Sequence, residues 1–143
     1  MNRDVKRIAW GVFPALLLLA SCTHVSTDVD HSVNFRKLDH IFVEHRLSDG
    51  RGMDQLIADE LQKLGYDASA GPLTMMPDNT EAIIAYQDEW NFDFTTYLLE
   101  LDIAVRDAHT GQQMAVSRIN EPSIFGNNPV KMVDAALSIF KKK

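Results

Sequence analysis

The chain contains a single thiol, that of Cys22, near its N-terminus. A cysteine thiolate can act as a nucleophile, as a metal ligand or as the site of a covalent modification. Cys22 follows the small residues Ala20 and Ser21, which end an apolar run over residues 8–19. That run is typical of a signal peptide, and it is shorter than the roughly 20 residues that a helix needs to span a bilayer. We therefore predict a signal peptide over residues 1–21.

The run Leu19-Ala20-Ser21-Cys22 resembles the lipobox of bacterial lipoproteins, in which an aliphatic residue and two small residues precede a cysteine. The resemblance implies that Cys22 carries diacylglycerol on its sulfur and an acyl chain on its amino group once the signal peptide is cleaved. Two or three acyl chains anchor a protein stably, whereas one chain does so only marginally. The next residue is Thr23 and not aspartate, which implies sorting to the outer membrane with the domain facing the periplasm. The inner membrane and the cell surface are the alternatives.

The other residues with catalytic or metal-binding chemistry show no pattern typical of an active site. Asp88 and Glu89 are adjacent, and because adjacent side chains normally diverge they are a poor acid–base pair. His40 and His45 point to opposite faces of a regular strand because their separation is odd. The sequence has no G-x-S-x-G or H-E-x-x-H run and no glycine-rich phosphate loop. We expect a non-enzymatic protein with no cofactor and no metal site. Four side chains of the N-terminal spacer have metal-ligand chemistry, and we expect no metal site there either: His24, Asp28, Asp30 and His31.

The acidic composition excludes one class of partner. The whole chain has a formal net charge of −6, and without residues 1–21 it has 11 bases and 19 acids. A nucleic-acid-binding protein is expected to carry a basic patch, so we predict no nucleic-acid partner. Because the single cysteine excludes a disulfide within the chain, the fold must depend on its hydrophobic core. A mature chain of about 120 residues suffices for one domain of common size.

The mature chain is predicted to consist of a short spacer and one domain. Residues 22–34, which begin with the lipidated cysteine, are mostly small or polar and are predicted to be a flexible tether. Residues 35–143 are predicted to form a single periplasmic domain, with elements in the order strand, helix, four strands, helix. This order predicts an α+β fold: a two-layer sandwich in which a mostly antiparallel sheet of four to five strands carries both helices on one face.

Two helices and one strand are predicted most clearly. Gly65 ends the first helix, and Asn128 is a good cap for the second. Residues 99–105 alternate between apolar and polar, which predicts a strand with one buried and one wet face. The buried stripe of the first helix is predicted to be Met53, Leu56, Ile57, Leu61 and Leu64, and that of the second Val130, Val133, Ala136, Leu137 and Phe140.

The segment over residues 86–97 concentrates five aromatic side chains. One interpretation is a loop or strand edge in which Trp90, Phe92 and Phe94 close the open end of the core. The other interpretation is a recognition patch, because aromatic anchors rimmed by polar groups are typical of protein interfaces. The candidate partner contacts are then Trp90, Phe92, Asp93 and Phe94.

A second resemblance concerns the same segment and the hairpin that follows it. A group of small bacterial outer-membrane lipoproteins of unknown function combines a lipobox with a compact α/β domain that carries W-x-[YF]-D-[YF] and D-x-x-T-G segments. The matching residues are Trp90, Phe92, Asp93 and Phe94 for the first segment, and Asp107, Thr110 and Gly111 for the second. The resemblance implies no catalytic residues.

These features together predict a non-enzymatic lipoprotein that faces the periplasm and serves as an accessory or docking subunit of an envelope complex. Its membrane contact would be the lipid on Cys22, and its partner would be an envelope protein. The alternative is a small-ligand-binding or envelope-sensing lipoprotein with a pocket near Trp90. A domain of this size is expected to leave little room for a pocket of several hundred cubic ångströms.

Overall fold

Six strands form one open sheet with two helices packed on it in the computed structural model, which describes residues 23–122 and 128–141. The predicted signal peptide and the predicted lipidation site, Cys22, lie outside the described residues. The strands are β1 (His24–Val29), β2 (His40–Glu44), β3 (Asp67–Gly71), β4 (Ala82–Asp93), β5 (Thr95–Asp107) and β6 (Gln113–Asn120), and the helices are α1 (Met53–Lys63) and α2 (Pro129–Ala136). Short 3-10 helices cover Phe35–Lys37, Leu73–Met75 and Ser138–Phe140.

The α+β class is confirmed, with one strand more than predicted. Within the described residues the strand order is β1-β6-β5-β4-β2-β3. The three pairings among β1, β6, β5 and β4 are antiparallel, whereas β2 is parallel to both of its neighbours, β3 and β4. Antiparallel pairings therefore predominate in a mixed sheet. The parallel pair β2–β3 arises because α1 returns the chain to the end of the sheet from which β2 started.

The first helix, α1, forms where the sequence predicts it. Of the predicted stripe, Met53, Ile57 and Leu61 are fully buried, and the other two members are partly buried against the same core. Gly65 has a φ of 94°, a backbone conformation that side chains disfavour and that commonly ends a helix. Periodicity and a stop signal, both local features, were sufficient for this element.

The second helix, α2, begins as predicted and ends earlier. The Asn128 side chain accepts the Val130 N–H at 2.9 Å and caps the helix. The helix stops at Ala136, and Phe140 is buried from the 3-10 turn that follows. Val130 is exposed and Met132 is buried in its place, because the apolar stripe is centred further round the helix than predicted. In the described part of the chain, no helix is long and apolar enough to cross a membrane.

One face of the sheet is covered by both helices, as predicted, and the other face is open. Ile84 and Ile103 belong to the core cluster that also contains the buried residues of α1 and α2. On the open face the guanidinium of Arg118 donates two hydrogen bonds of 2.8 Å to Asp102 on the neighbouring strand. Alternation along β5 therefore separates a dry face from a charged face.

The first strand, β1, lies where the sequence predicted the flexible tether of residues 22–34, and the tether prediction is wrong for this stretch. β1 pairs antiparallel with β6 over its whole length. Val25, Thr27 and Val29 occupy every second position, and β-branched residues at that spacing favour a strand. The pattern was missed because it is short and interrupted by polar residues, which an edge strand tolerates. The first described element of the sheet is thus β1.

Strands β4 and β5 form a long hairpin that extends past the rest of the sheet. The aromatic segment, interpreted either as a loop or strand edge or as a recognition patch, forms the arms of this hairpin. The arms pair out to Asp93 and Thr95 and leave Phe94 as the turn. A bulge follows Glu89, opposite Glu100, where β5 also makes its last pairing with β6. Bulges bend a strand and increase its twist, so the hairpin is redirected where it leaves the sheet.

Candidate functional site

An open cleft lies beyond the carboxyl end of β2, alongside the part of its parallel neighbour β4 that continues past it, and beside the start of α1. It is bordered by residues 45–52, which we name the β2–α1 loop. Tyr86, Asp88 and Trp90, at alternate positions of β4, each contact at least one residue of this loop. The crevice outside the carboxyl ends of parallel strands is where open α/β sheets bind their ligands.

Asp49 determines the shape of the β2–α1 loop. One carboxylate oxygen accepts the backbone N–H groups of Arg51 and Gly52 at 2.7 and 2.9 Å, and the other accepts that of Met53 at 2.7 Å. The second oxygen also accepts the Tyr86 hydroxyl at 2.6 Å. The first N–H groups of a helix lack partners within the helix, so Asp49 acts as the cap of α1.

These contacts also set the pKa of both groups. Burial is the largest influence on Asp49 and raises its pKa, but hydrogen bonds from Tyr86 and from the N–H groups of Arg51, Asp54 and Met53 together outweigh it, and the pKa lies below its usual value. For Tyr86, burial raises the pKa well above its ordinary value, and the hydrogen bond to Asp49 raises it further. At neutral pH the pair is therefore a phenol that donates to a carboxylate.

Two arginines and a buried carboxylate line the cleft. Arg46 Nη1 donates to Asp88 Oδ1 at 2.6 Å, and Trp90 Nε1 donates to Asp88 Oδ2 at 2.6 Å. The Asp88 side chain is 9% exposed, so its charge is both buried and paired. Arg51 lies over the Trp90 ring, with 4.4 Å between Cζ and the ring centroid, which is a cation–π contact.

A cluster of possible metal ligands adjoins the cleft. His45, Asp49 and Asp54 each offer one ligand atom, and these atoms lie within 4.8 Å of one another. His45 Nδ1 and Asp54 Oδ2 are hydrogen-bonded at 2.8 Å, while the Asp49 carboxylate already accepts the N–H groups and the Tyr86 hydroxyl. Each ligand atom thus has a protein partner, and hydrogen bonding between the loop and α1 accounts for the cluster.

The cleft has a volume of about 620 Å³, which lies within the range of small-ligand sites. The size of the domain predicts little room for such a volume. The space arises on the surface, between the β2–α1 loop and the extended strand β4, and not within the core. The lining residues are Arg46, Ser48, Gly50, Arg51, Asp88 and Trp90.

The structure divides the four predicted partner contacts into two groups. Trp90 is half-buried, packs against the core and borders the cleft. Phe92, Asp93 and Phe94 lie at the hairpin tip, where the two phenylalanines are 74% and 95% exposed. Phe94 has a φ of 60°, in the left-handed region that residues other than glycine rarely adopt. The tip therefore combines exposed apolar surface with a strained backbone.

Sequence reasoning missed Arg46, Asp49 and Arg51. For Asp49 a signal was present, because it stands four residues before the first residue of α1 and aspartate is a preferred acceptor for helix N–H groups. For the arginines no local signal exists. Arg46 meets Asp88 across 42 residues of sequence, and only the pairing of strands brings the two together.

The fold defines a small α+β domain whose architecture is shared with solved structures of bacterial proteins. No family model matches the chain, and no curated protein matches it. A structure of the PelC dodecamer from Paraburkholderia phytofirmans is similar, with a TM-score of 0.66, 10% identity, and coverage of 85% of this chain and 99% of that one.

Two further structures extend the likeness. A second structure of the PelC dodecamer has a TM-score of 0.64 at 13% identity and covers 85% of this chain and 100% of that one. A DUF4136 family protein from Bacteroides thetaiotaomicron has a TM-score of 0.55 at 12% identity and covers 85% of this chain and 98% of that one. Identities this low show a shared fold alone, here with small bacterial domains that include a member of an uncharacterised family.

Proposed function

We propose that this chain is a non-enzymatic accessory lipoprotein of the bacterial envelope, which docks on a protein partner through the tip of the β4–β5 hairpin. The observation that carries the proposal is the exposure of Phe92 and Phe94 at the end of a projecting hairpin. Burying one such side chain in a complex contributes about 1.5–3 kcal/mol, and aromatic anchors often dominate the binding energy of interfaces.

Asp93, between the two phenylalanines in sequence, favours a protein pocket over the bilayer as the target of the tip. A carboxylate is repelled by anionic headgroups and is costly to place deeper in the membrane. A protein can take both rings into an apolar pocket and leave Asp93 at the polar rim of the interface. The partner that fits this chemistry has an apolar pocket with a basic or N–H-donating edge.

The proposed lipid anchor on Cys22 holds the domain close to the membrane. Because β1 begins at His24, two residue steps separate the lipidated residue from the folded sheet. Two steps of extended chain span at most about 7 Å, far less than the predicted tether would have allowed. We therefore propose a domain held against the periplasmic surface of the outer membrane, with the hairpin tip as the part that binds a partner.

Structures of similar fold support an assembled state. The PelC structures are described as dodecamers, so a domain of this architecture is compatible with assembly from many copies. A second copy of this chain is accordingly one protein that the tip could engage. The mass of a crosslinked product distinguishes this homotypic case from a different envelope protein.

The docking proposal predicts that Phe92→Ser/Phe94→Ser strongly weakens a specific crosslink. A photo-crosslinking amino acid at Asn91, exposed beside the tip, is introduced into the full-length lipoprotein, and intact cells are irradiated. We expect one discrete adduct, reduced at least tenfold in the double variant because each lost ring is worth about 1.5–3 kcal/mol. The matched control is Met75→Ser, another exposed apolar residue, which should leave the adduct intact. An adduct of equal intensity in the double variant would place the interface elsewhere.

A second prediction separates stability from docking at Phe94. Left-handed backbone costs a residue with a side chain about 1–2 kcal/mol, and glycine adopts it freely at a smaller entropic cost. Phe94→Gly should therefore raise the free energy of unfolding by about 0.5–1 kcal/mol while it weakens the crosslink. Phe92→Gly, in regular strand, should lower that free energy instead. Urea unfolding measures both, and a destabilised Phe94→Gly variant would show that the ring supports the hairpin itself.

A further inference from the structure

Two arginines and one carboxylate are among the residues that line the cleft at the β2–α1 loop, and the Asp49 carboxylate of the same loop is occupied by backbone N–H groups and the Tyr86 hydroxyl. Asp88 is buried and balanced by Arg46, with its other oxygen occupied by the Trp90 indole N–H. Arg51 has no ion-pair partner within residues 23–122 and 128–141, and its described contact is with the Trp90 ring. The residues that line the cleft therefore carry a net positive charge, although the chain as a whole has a charge of −6.

Trp90 holds the Arg51 guanidinium in place without using its hydrogen-bond donors. The hydrogen bond to Asp88 fixes the indole, and the guanidinium lies over the ring at 4.4 Å. A guanidinium stacked on an aromatic ring uses its face, whereas its N–H donors lie in its plane and point outward from its edge. Two such donors side by side match the two oxygens of a carboxylate or phosphate group.

The donors available to a ligand are side chains and not the start of α1. Asp49 already accepts the N–H groups of Arg51, Gly52 and Met53. The cleft adds to Arg51 the donors of Arg46 that Asp88 leaves free, and the Ser48 hydroxyl on its lining. This set resembles a recognition site for an oxyanion more than one for a cation or an apolar molecule.

We propose that the cleft binds a small ligand that bears a carboxylate or phosphate group, with Arg51 and Arg46 as the charged contacts and Trp90 as the platform that orients Arg51. The volume of about 620 Å³ accommodates a ligand larger than the anionic group alone. The inference is independent of docking by the hairpin tip, because Phe92 and Phe94 do not line the cleft.

Intrinsic fluorescence tests the proposal directly, because Trp90 is the only tryptophan of the chain once residues 1–21 are removed. The lipidated mature protein in detergent is titrated with inorganic phosphate, glucose 6-phosphate and glucuronate, with glucose as the uncharged control and sodium chloride as the ionic-strength control. We expect a saturable change in Trp90 emission with at least one of the three anions and none with glucose. The anion that saturates identifies phosphate or carboxylate as the preferred group.

The variant that tests the proposal is Arg51→Gln, which keeps a polar side chain that can donate hydrogen bonds and removes the charge. We expect it to weaken the saturable binding at least tenfold, while Arg36→Gln, an exposed arginine away from the cleft, binds as the wild type does. Phe92→Ser/Phe94→Ser should also bind the anion normally, so a failure of docking is distinguishable from a failure of this site. Overturning results are a response that sodium chloride reproduces, the absence of saturation with all three anions, or equal affinity in Arg51→Gln.

Discussion

We expect Phe140→Ala to lower the free energy of unfolding by about 3–5 kcal/mol. Phe140 is fully buried, and its ring meets those of Phe35 and Tyr66 edge to face at centroid distances of 5.6 and 5.5 Å. The Tyr66 hydroxyl donates to the Phe140 carbonyl at 2.8 Å. One ring thus joins the segment before β2, the end of α1 and the C-terminal turn, and its removal leaves a cavity that three separate elements cannot close together.

Urea unfolding followed by circular dichroism measures this loss. Phe140→Leu keeps most of the volume and should cost about 1–2 kcal/mol, which keeps the test informative if the alanine variant is too unstable to study. Leu47→Ala, a large-to-small change at a fully exposed residue, is the control and should change stability by less than about 0.5 kcal/mol. A Phe140→Ala variant indistinguishable from this control would contradict the packing described for the C-terminal turn.

The second large effect is expected at Asp49, where alanine should cost about 2–4 kcal/mol. The substitution removes the common acceptor of four backbone N–H groups and of the Tyr86 hydroxyl. The N–H groups of the buried residues Met53 and Asp54 then lose their partner. It also frees the β2–α1 loop, so the proposed anion binding should weaken with it. Asp59→Ala, an exposed aspartate on α1, provides the matched control and should have little effect.

The contribution of Asp49 should depend on pH. Its pKa in the folded protein lies below its usual value near 3.8, so the unfolded chain takes up a proton first as the pH falls. The stability that Asp49 adds is therefore fully present above that usual pKa and is lost as the pH falls through the lower, folded-state pKa. The difference in unfolding free energy between wild type and Asp49→Ala should be constant from pH 7 to about pH 5 and shrink below pH 4.

The quantity to measure is the difference in unfolding free energy between wild type and Asp49→Ala. The wild-type curve alone is not sufficient, because other carboxyl groups also titrate in acid. Backbone N–H groups also lower the pKa of Glu81 and Asp107, so acid weakens the wild type at several places at once. Subtracting the Asp49→Ala curve leaves the part that belongs to Asp49. A difference that persists unchanged at pH 2 would show that the carboxylate form is not what stabilises the loop.

The predictable part of the fold rests on interactions between near neighbours in sequence. α1 and the start of α2 were correct because a buried stripe, a stop at Gly65 and a cap at Asn128 each act within one or two turns. The strand over residues 99–105 was correct because alternation between a dry and a wet face is visible in the sequence itself. The prediction missed β1 because an edge strand needs little apolar character, so that a short polar stretch resembles a linker.

For the candidate site, the sequence predicts which residue types are concentrated there but not how they are arranged. The sequence shows that aromatic and acidic residues are concentrated between Tyr86 and Tyr97, and it shows no catalytic motif. It does not show that Trp90 turns inward to the cleft while Phe92, two positions further on the same face of β4, stands in solvent. That outcome depends on where β2 stops pairing with β4 and on how far the β2–α1 loop reaches along β4, which are properties of the assembled sheet.

The sequence alone therefore predicts the α+β class, both helices, most strands and the presence of an aromatic segment. Three features depend on the assembled sheet: the parallel placement of β2 beside β4, the hairpin that exposes Phe94 to solvent, and the cleft lined by Arg51 and Trp90. The physical reason is the separation in sequence between the residues that interact. Caps, stops and periodicity act over a few residues, whereas the pairing of Arg46 with Asp88 spans 42 residues and exists only after the strands have aligned.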